Sequence, residues 1–542
     1  MSPRDPWLGR AEWTLGLGLT LFLLVLHARN WLEAPQLWRD EISTLYISTA
    51  PTFAELWRRM EWESSPLAWP LLLRAWSAFG TSAETLRALA LGVGVAVIAS
   101  LWLALRQVAG TLPLLALVLV AANPFVLRFG DTLRAYGLGL ALATLLVAAI
   151  WRLALRAGPR EALAAALLAV ASVHALYHNA VVVFALCAAC AAAWAVRGRV
   201  REALLPLGIG ALAALSLVPY LGPLGRARVW NVVIRTPVDL AWLAAKLGES
   251  VNVGGPWLSF VWTGLVLAAL AACARAIVRP AAAGEPEADA RAQAVFFATA
   301  LLLGVTAYAL FLLSVGYPTQ AWYYFSLLGL VALLAEAGLH VVLRAAPVWR
   351  GARVALVLVA LIVVAPALWQ GNPMRMTNFD RLAAELEARA QPRDLIVVAP
   401  WYLGISFAHY YAGPTPWLTV PDLSDHRLTR YDLLKQVMTD PGAVPRSAAR
   451  VRETLVRGGR VWLVGDLPFL DGNPPAQAPP VAPGSQLGWS ELQYQRLWSR
   501  IVAHALQAHA TRVERITLGS ALVEVVSPFE SPPLYGFDAG PP

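Results

Sequence analysis

The sequence has 542 residues, of which 58% are hydrophobic and only 14% are charged. Soluble domains carry about 25% charged residues, so this composition excludes a string of soluble domains and indicates an integral membrane protein. The 43 basic residues outnumber the 34 acidic ones, which gives a net charge of +9. Because the basic residues are scattered between apolar segments rather than gathered in a stripe, no nucleic-acid partner is predicted.

Apolar stretches of about 20 residues are long enough to cross a bilayer as helices. Eleven such spans are predicted, near 12–29, 83–105, 110–127, 133–151, 161–177, 179–196, 203–220, 257–278, 293–316, 321–343 and 353–369. The first span follows Arg4 and Arg10 as a signal peptide would, but no small-residue cleavage site comes after it. We therefore expect it to remain as a membrane anchor.

Arginine clusters in the short loops predict how the chain is oriented in the membrane. The clusters lie at 152–160, 197–201, 275–291 and 344–353. All four fall on one side if the N-terminus is inside, as the positive-inside rule requires. The loop at 30–82, the loop at 221–256 and everything after 370 are then outside. Since arginine-rich, lysine-poor composition is common in GC-rich bacterial genomes, we expect a multi-pass protein among the lipids of a bacterial inner membrane.

From Gly371 onward the composition changes to a soluble pattern. Apolar runs predict strands and polar stretches predict helices, the strands at 394–399, 460–465 and 521–526 and the helices near 378–390, 428–438 and 446–457. A proline-rich loop at 474–483 reads as an insertion. The predicted fold is an α-helical polytopic membrane domain at 1–370, followed by an extracytoplasmic α/β domain at 371–542.

The first outer loop, at 30–82, carries Arg39, Asp40 and Glu41 directly beyond the first span. Adjacent carboxylates at a membrane interface are costly unless they are paired or hydrated. One interpretation is structural, with Arg39 paired to Glu41 and Asp40 capping a helix. The other interpretation is that the two carboxylates take part in catalysis.

Further charged residues are predicted at the same outer face. Arg87 begins the second span, and Arg128, Asp131, Arg134 and Tyr136 lie in the turn between the third and fourth spans. Short outer turns are usually poor in arginine, so these arginines imply an anionic partner. That partner is either Asp131 and Asp40 within the protein or a phosphate brought from outside. Contact of the arginines with lipid headgroups is the structural alternative.

Three short motifs together resemble a family. Trp38-Arg-Asp-Glu in the outer loop, Leu86-Arg-Ala-Leu-Ala in the second span and Thr132-Leu-Arg-Ala-Tyr before the fourth are similar to the protein O-mannosyltransferase and aminoarabinose transferase superfamily. The resemblance covers roughly residues 10 to 370. These are GT-C fold glycosyltransferases that use polyprenyl-phosphate sugars. The resemblance implies that Asp40 is the catalytic base and that Arg134 is the motif arginine. Glu41, which points elsewhere from the same stretch of backbone, is expected to orient Arg39 or the loop.

The chain departs from the family pattern in two places. The family's His-Pro-Pro is Ser64-Ser65-Pro66-Leu67 here, and the Arg-Tyr that opens a late helix is Tyr323-Tyr324. The phosphate contact implied for that arginine therefore needs a substitute. Arg235 and Lys246, in the outer loop at 221–256, are the predicted substitutes.

His174 and His178 are four residues apart at the end of the fifth span and share a helix face. With Glu61 or Glu63 they could hold a divalent cation, and no other cofactor is predicted. His178 is also a candidate for substrate binding. The structural alternative is hydrogen bonding by His178 and its neighbour Asn179 within the membrane domain.

The predicted chemistry needs only one carboxylate. A polyprenyl phosphate leaves when its charge is stabilised, so guanidinium groups can serve in place of a general acid. The carboxylate takes a proton from the acceptor hydroxyl on the face opposite the leaving phosphate, which predicts inversion. We therefore predict an inverting glycosyltransferase whose acceptor is an envelope lipid, polysaccharide or protein.

Two alternatives come from other functional classes. A transporter or flippase of lipid-linked glycans would place charges at mid-bilayer on broken helices. A scaffold for an envelope complex would need no functional Asp40. The predicted concentration of charge at one face favours the transferase.

Overall fold

The computed structural model describes residues 6–233, 238–252, 255–278, 287–316, 318–343, 346–471, 481–482, 491–518 and 525–539. The chain divides into two compact units. The first unit is Met1–Glu33, Ser65–Leu221 and Pro237–Pro373, and the second is Ala34–Ser64, Gly222–Thr236 and Met374–Pro542. The segment with Asp40 is therefore grouped with the C-terminal residues.

Helices make up nearly all of the first unit and part of the second. In chain order they are α1 (Pro6–Glu33), α2 (Arg39–Ser48), α3 (Phe53–Arg59), α4 (Ala68–Trp76), α5 (Ala83–Ala109), α6 (Leu114–Ala116), α7 (Pro124–Gly130), α8 (Tyr136–Leu155), α9 (Pro159–Ala175), α10 (Asn179–Val196), α11 (Val200–Leu215), α12 (Leu221–Val233), α13 (Leu240–Val251), α14 (Trp257–Val278), α15 (Glu287–Val315), α16 (Phe325–Val342), α17 (Pro347–Gly371), α18 (Phe379–Arg389), α19 (Gly404–Tyr410), α20 (Tyr431–Met438), α21 (Ala443–Val456) and α22 (Glu491–His509). The first outer loop contains the short helices α3 and α4.

Nine helices in the described part of the chain are long and apolar enough to cross a membrane. The polytopic helical architecture is confirmed, but the predicted count of eleven is not. The predicted span at 161–177 is α9, a helix of only 17 residues. The predicted span at 110–127 is broken into α6, a π-helical turn and α7.

Local chemistry explains this break. Pro113 and Pro124 have no N–H to donate to a continuous helix. The side chain of Asn123 accepts a hydrogen bond from the N–H of Phe125 at 2.9 Å, which caps the start of α7. A hydrophobic run therefore contains a helix stop and a new helix start.

A buried ion network that the sequence patterns did not predict stabilises the same break. Arg353, expected in a cytoplasmic arginine cluster, is fully buried and donates to Glu12 at 2.6 Å and to Glu336 at 3.2 Å. The carboxylate of Glu336 also accepts two backbone N–H groups at the start of α6, at 3.1 and 2.9 Å. The network thus joins α1, α6, α16 and α17.

The C-terminal residues form an α/β domain around a five-stranded sheet. The strands are β1 (Met374–Arg375), β2 (Leu395–Ala399), β3 (Trp417–Thr419), β4 (Val461–Gly465), β5 (Arg512–Ile516), β6 (Val525–Val526) and β7 (Leu534–Asp538). The sheet order is β3-β2-β4-β7-β5, and β1 pairs separately with β6. β2 is parallel to β3 and β4, whereas β7 is antiparallel to β4 and β5.

The central strands are apolar throughout because helices cover both faces of the sheet. One face packs against α20, α21 and α22 through side chains such as Leu434, Val451 and Val502. The other packs against α18 and α19 through side chains such as Phe379 and Phe407. The predicted strands at 394–399 and 460–465 and all three predicted helices are confirmed.

Two sequence predictions in this domain fall largely on residues outside the described chain. Only the last two residues of the predicted strand at 521–526 are described, and they form β6. Of the proline-rich loop at 474–483, only residues 481 and 482 are described. Both predictions therefore rest on the sequence.

Gly465, at the end of β4, offers a direct test of this packing. Its φ is +105°, and a Cβ atom there would lie 1.7 Å from the carbonyl oxygen of Ala399. We expect Gly465→Ala to destabilise the domain by about 3 kcal/mol or more, from backbone strain and overlap together. Gly458→Ala is the control, since that site has φ +76° but open space, and should cost about 1–2 kcal/mol. Equal shifts of the two thermal unfolding midpoints would contradict this account.

Candidate functional site

The first unit contains a buried polar cluster, called here the Asp131 cluster, made of His27, Arg87 and Asp131. His27 Nδ1 lies 2.5 Å from Asp131 Oδ2, and Arg87 Nη1 donates to the backbone carbonyl of Asp131 at 3.2 Å. All three side chains are buried. A Cβ atom on Gly94 would lie 2.5 Å from Asp131 Oδ1 and 2.6 Å from His27 Nδ1, so glycine is needed there. The cluster anchors the turn that follows α7.

His27 was missed by the sequence analysis although it carried a usable signal. It is a histidine within the apolar helix α1, where ionisable residues are rare and generally have a partner. Its partner lies 104 residues further along the chain. Only the packing of the helices brings the two together.

Arg128 lies in the last turn of α7, next to the Asp131 cluster in sequence. Its side chain is partly buried, and within the described ranges it has no hydrogen-bond or ion-pair partner. Burial lowers the pKa of Arg128 to about 10, so the guanidinium stays protonated at neutral pH. The sequence left Asp131 open as its partner, but Asp131 is engaged by His27 instead. This leaves a positive charge suited to an anionic ligand.

Tyr136 and His178 lie around a group of aromatic rings in the first unit, and Arg134 comes two residues before Tyr136 in the chain. Arg134 is partly exposed in the turn before α8, whereas Tyr136 is buried at the first position of that helix. The ring of Tyr323 lies 5.8 Å from Tyr136 and 6.4 Å from His178, measured between ring centroids. The structure therefore places Tyr136 and His178 near one another through Tyr323.

Two polar residues near His178 have structural contacts. His174 is bonded through Nδ1 to the hydroxyl of Tyr220 at 2.9 Å and through Nε2 to Ser216 at 3.1 Å. Asn179 donates to the carbonyl of Gly139 at 3.0 Å, which fits the structural alternative proposed from the sequence. With both ring nitrogens occupied, His174 is poorly placed to ligate a cation. The described residues contain no group of three or more His, Cys, Asp or Glu side chains that could hold a metal ion.

The two predicted substitutes for the late-helix arginine have different outcomes. Lys246, on α13, donates to both carboxylate oxygens of Glu249 at 2.9 and 3.0 Å, and its ammonium lies 5.4 Å from the ring of Trp242. Its charge is therefore already balanced within its own helix. Arg235 lies outside the described residues.

In the second unit, Glu41 caps the start of α2. Its side chain is fully buried and accepts a hydrogen bond from the N–H of Trp38 at 3.2 Å. This is the reciprocal half of a capping box. The structural alternative drawn from the sequence gave the capping role to Asp40, so it named the wrong acid. This buried capping position fits a role of Glu41 in holding the loop at the start of α2. It does not fit direct proton transfer.

Asp40 has a different environment from its neighbour. About a third of its side chain is exposed, with a relative accessibility of 34%, and its Oδ1 lies 3.6 Å from Arg39 Nε. Arg39 Nη1 lies equally far, at 3.6 Å, from Glu530 Oε1. Glu530 is buried and also accepts a hydrogen bond from Ser406 Oγ at 3.0 Å. Arg39 is thus shared between an exposed and a buried carboxylate.

Burial raises the pKa of Glu530 to about 7, and the nearby charge of Arg39 acts against that rise. A carboxyl group raised from 4.5 to about 7 costs the folded state about 3 kcal/mol once ionised. The folded state binds more protons than the unfolded state in this range, so stability should fall as pH rises from about 4.5 to 7. We expect Glu530→Gln to remove that fall and to be more stable than the wild type at pH 8 but not at pH 4.5.

Thermal unfolding at several pH values checks this prediction. Glu453→Gln changes an exposed glutamate of α21 and should keep the wild-type pH dependence. A Glu530→Gln variant that loses stability equally at all pH values would show that folding does not raise the pKa of Glu530, contrary to expectation.

No protein-family model matches the chain. No curated protein matches it significantly in sequence. Several solved structures are similar to this chain over part of its length. The Archaeoglobus fulgidus oligosaccharyltransferase in complex with Zn and sulfate has a TM-score of 0.48 at 13% identity, covering 83% of this chain and 68% of that one.

Two further structures are similar at lower scores. AglB from Archaeoglobus fulgidus, with an inhibitory peptide and a dolichol-phosphate, has a TM-score of 0.41 at 14% identity, over 83% of this chain and 69% of that one. ArnT from Cupriavidus metallidurans, bound to undecaprenyl phosphate, has a TM-score of 0.33 at 14% identity, over 83% and 92%.

Proposed function

We propose that the protein is an inverting glycosyltransferase that moves a sugar from a polyprenyl-phosphate donor to a hydroxyl group of an envelope acceptor. One observation carries the proposal: Arg128 is a partly buried, protonated guanidinium without an anionic partner in the described chain. A buried charge is costly unless an opposite charge accompanies it. A phosphate ligand supplies that charge, and guanidinium groups match phosphate geometry well. The motif resemblance supports the same donor class.

The proposed roles divide between one carboxylate and the arginines. Asp40, exposed and next to Arg39, accepts the proton of the acceptor hydroxyl. The acceptor oxygen forms a bond to the anomeric carbon as the bond from that carbon to the phosphate oxygen breaks. The electron pair leaves with the polyprenyl phosphate, whose charge guanidinium groups stabilise. Attack from the face opposite the phosphate inverts the anomeric centre.

The other predicted binding residues support this arrangement less directly. Arg87 holds the turn through the carbonyl of Asp131, and Asp131 is committed to His27. Tyr136 and His178 pack on Tyr323 within the aromatic group. We propose that these residues shape the turn that presents Arg128 and Arg134, with the donor phosphate as the ligand of those two arginines.

The transporter alternative has one observation in its favour. The network of Glu12, Glu336, Arg350 and Arg353 places ionised groups on the apolar helices α1, α16 and α17. Intramembrane charges often mark a transport path. Here two carboxylates pair with two guanidinium groups, and Glu336 also caps α6, so the network has a structural explanation.

Turnover of lipid-linked donors tests the proposal. Purified full-length protein in vesicles would be offered a panel of polyprenyl-phosphate sugars, with released polyprenyl phosphate and movement of labelled lipid across the bilayer followed together. We expect one donor to be consumed without net lipid movement. Lipid movement with no donor consumed would replace the transferase with the transporter. Adding EDTA to the same assay tests whether a divalent cation takes part.

The proposed location is a bacterial inner membrane with the C-terminal domain on the extracytoplasmic side. Polyprenyl phosphates are membrane lipids, so both substrates of the reaction meet at a membrane surface. A protease added to sealed, right-side-out vesicles should remove the C-terminal domain. Protection of the domain would place it on the inner side.

A further inference from the structure

We propose that Glu530 is a positioning residue for the catalytic base, acting through Arg39 on Asp40. The inference rests on the proposed function of Asp40 and adds a role for the C-terminal domain. In this role the C-terminal domain sets the orientation and the basicity of the Asp40 carboxylate. The contacts that carry the inference all lie within the second unit.

The first observation is that Arg39 is held from several sides by the segment around Glu530. The backbone N–H of Arg39 donates to Glu530 Oε1 at 3.4 Å, and Arg39 Nη1 donates to the carbonyl of Phe529 at 3.2 Å. Glu530 is itself fixed by Ser406, which donates to its other carboxylate oxygen at 3.0 Å. The two residues thereby tie the first turn of α2 to the C-terminal segment.

Aromatic rings restrict the guanidinium further. The guanidinium carbon of Arg39 lies 5.1 Å from the ring centre of Trp38 and 4.9 Å from that of Tyr402. Cations are attracted to ring faces within about 6 Å. Arg39 can therefore move little toward or away from Asp40, the next residue in the chain.

The whole acidic segment is docked on one edge of the C-terminal domain. Tyr410 on α19 is bonded through its hydroxyl to both the N–H and the carbonyl of Leu37, at 2.9 and 2.8 Å. Arg427, in the loop after β3, lies 5.1 Å from the ring of Tyr46, and Arg430 lies 5.2 Å from the ring of Trp62. Contacts thus run along the segment from 37 to 62.

This edge has a recognisable place in the fold. Tyr402 follows β2, and Arg427 and Arg430 follow β3, so all three come after the carboxyl ends of parallel strands. In open α/β sheets that edge ordinarily receives a ligand. Here the segment from 37 to 62, which carries Asp40, docks at that edge. This contact explains how the C-terminal domain contributes to the reaction without a recognised site of its own.

The charge of Glu530 is what separates a positioning role from a simple structural one. Asp40 and Glu530 lie at the same distance, 3.6 Å, from the guanidinium of Arg39. If Glu530 loses its charge, Arg39 interacts with Asp40 alone and stabilises its carboxylate more strongly. A more stable carboxylate is a weaker base, so proton transfer slows.

Glu530→Gln in the full-length protein tests the inference, because glutamine keeps an acceptor oxygen for Arg39 and a similar shape. In the donor-turnover assay we expect kcat to fall about tenfold, with the KM for donor nearly unchanged. The acid limb of the pH–rate profile should move to lower pH. Glu491→Gln is the matched control and should keep the wild-type kcat. Glu491 is a buried glutamate of the same domain that accepts a hydrogen bond from Trp401 rather than from Arg39.

The possible outcomes separate this inference from the proposed function. Wild-type kcat and an unmoved pH profile in Glu530→Gln would overturn the positioning role, while loss of turnover in Asp40→Asn would still support the transferase. Full activity in both variants would instead overturn the assignment of the base. If Glu530→Gln does not fold, Arg39→Lys serves in its place. Lysine keeps the charge but loses the bidentate reach, and wild-type kcat in that variant would likewise overturn the inference.

Discussion

Replacing Asp40 with Asn is expected to lower the kcat of donor turnover by about 10²–10⁴-fold, the usual contribution of a general base. Asparagine has nearly the same shape but cannot accept the proton of the acceptor hydroxyl. Because Asp40 is partly exposed and pairs with Arg39, the change should leave the fold intact. The KM for the donor should change little. Initial rates of polyprenyl phosphate release measure both constants.

Asp440→Asn is the control for this experiment. Asp440 is an exposed aspartate of the C-terminal domain that pairs with Arg446, so it matches the chemical change without touching the proposed base. We expect it to retain wild-type turnover. If Asp40→Asn also kept full turnover of a donor that the wild type consumes, another group would have to be the base. Glu63, buried and bonded to Thr44, would be the next acid of the segment to test.

Replacing Arg128 with Gln is expected to weaken donor binding about 10–100-fold, because a hydrogen bond to a charged group contributes about 1.5–3 kcal/mol. The effect should appear mainly in the KM for donor and in the dissociation constant of free polyprenyl phosphate. Binding to the wild type should weaken with added salt, and the variant should show a smaller salt dependence.

Arg106→Gln is the control for this second prediction. Arg106 lies in the last turn of α5, over the ring of Trp13, and should leave the KM for donor unchanged. Lys246→Gln distinguishes the structure from the sequence-based expectation, since Lys246 is already paired with Glu249. A large rise in KM for Lys246→Gln together with an unchanged Arg128→Gln would assign phosphate binding to α13 instead.

The two variants should have opposite kinetic signatures. Loss of the base affects the step of bond formation and therefore kcat, whereas loss of a phosphate contact made in both ground and transition states affects KM. Misfolding would instead reduce the amount of active enzyme and leave KM unchanged in both variants. The pair of measurements therefore separates chemistry from binding and from misfolding.

The sequence alone determined the elements whose formation depends on local composition. Long apolar runs must form helices in a membrane because each backbone polar group needs a partner within its own segment. The strands β2 and β4 could also be predicted from composition. Helices cover both of their faces, so their side chains are apolar throughout. The same reasoning failed at 110–127, where Asn123 and Pro124 end one helix and begin another inside a single apolar run.

The sequence also identified Asp40 and Arg128 as unusual charges, because a charge beside a membrane span needs a reason. It could not say which of the two adjacent acids is partly exposed and which is buried. Glu41 points to the N–H of Trp38, three residues earlier, and Asp40 does not, a choice made by the start of α2. Helix geometry thus decided which carboxylate was buried.

Only the tertiary structure decided which residues pair with the charged side chains near these positions. Asp131 meets His27 from 104 residues away, and Arg39 meets Glu530 from 491 residues away. No periodicity in a sequence links residues so far apart, because their contact depends on how packed helices and strands bring distant segments together. Burial then sets the chemistry, since the same glutamate that would be an ordinary acid in water has a pKa of about 7 at position 530.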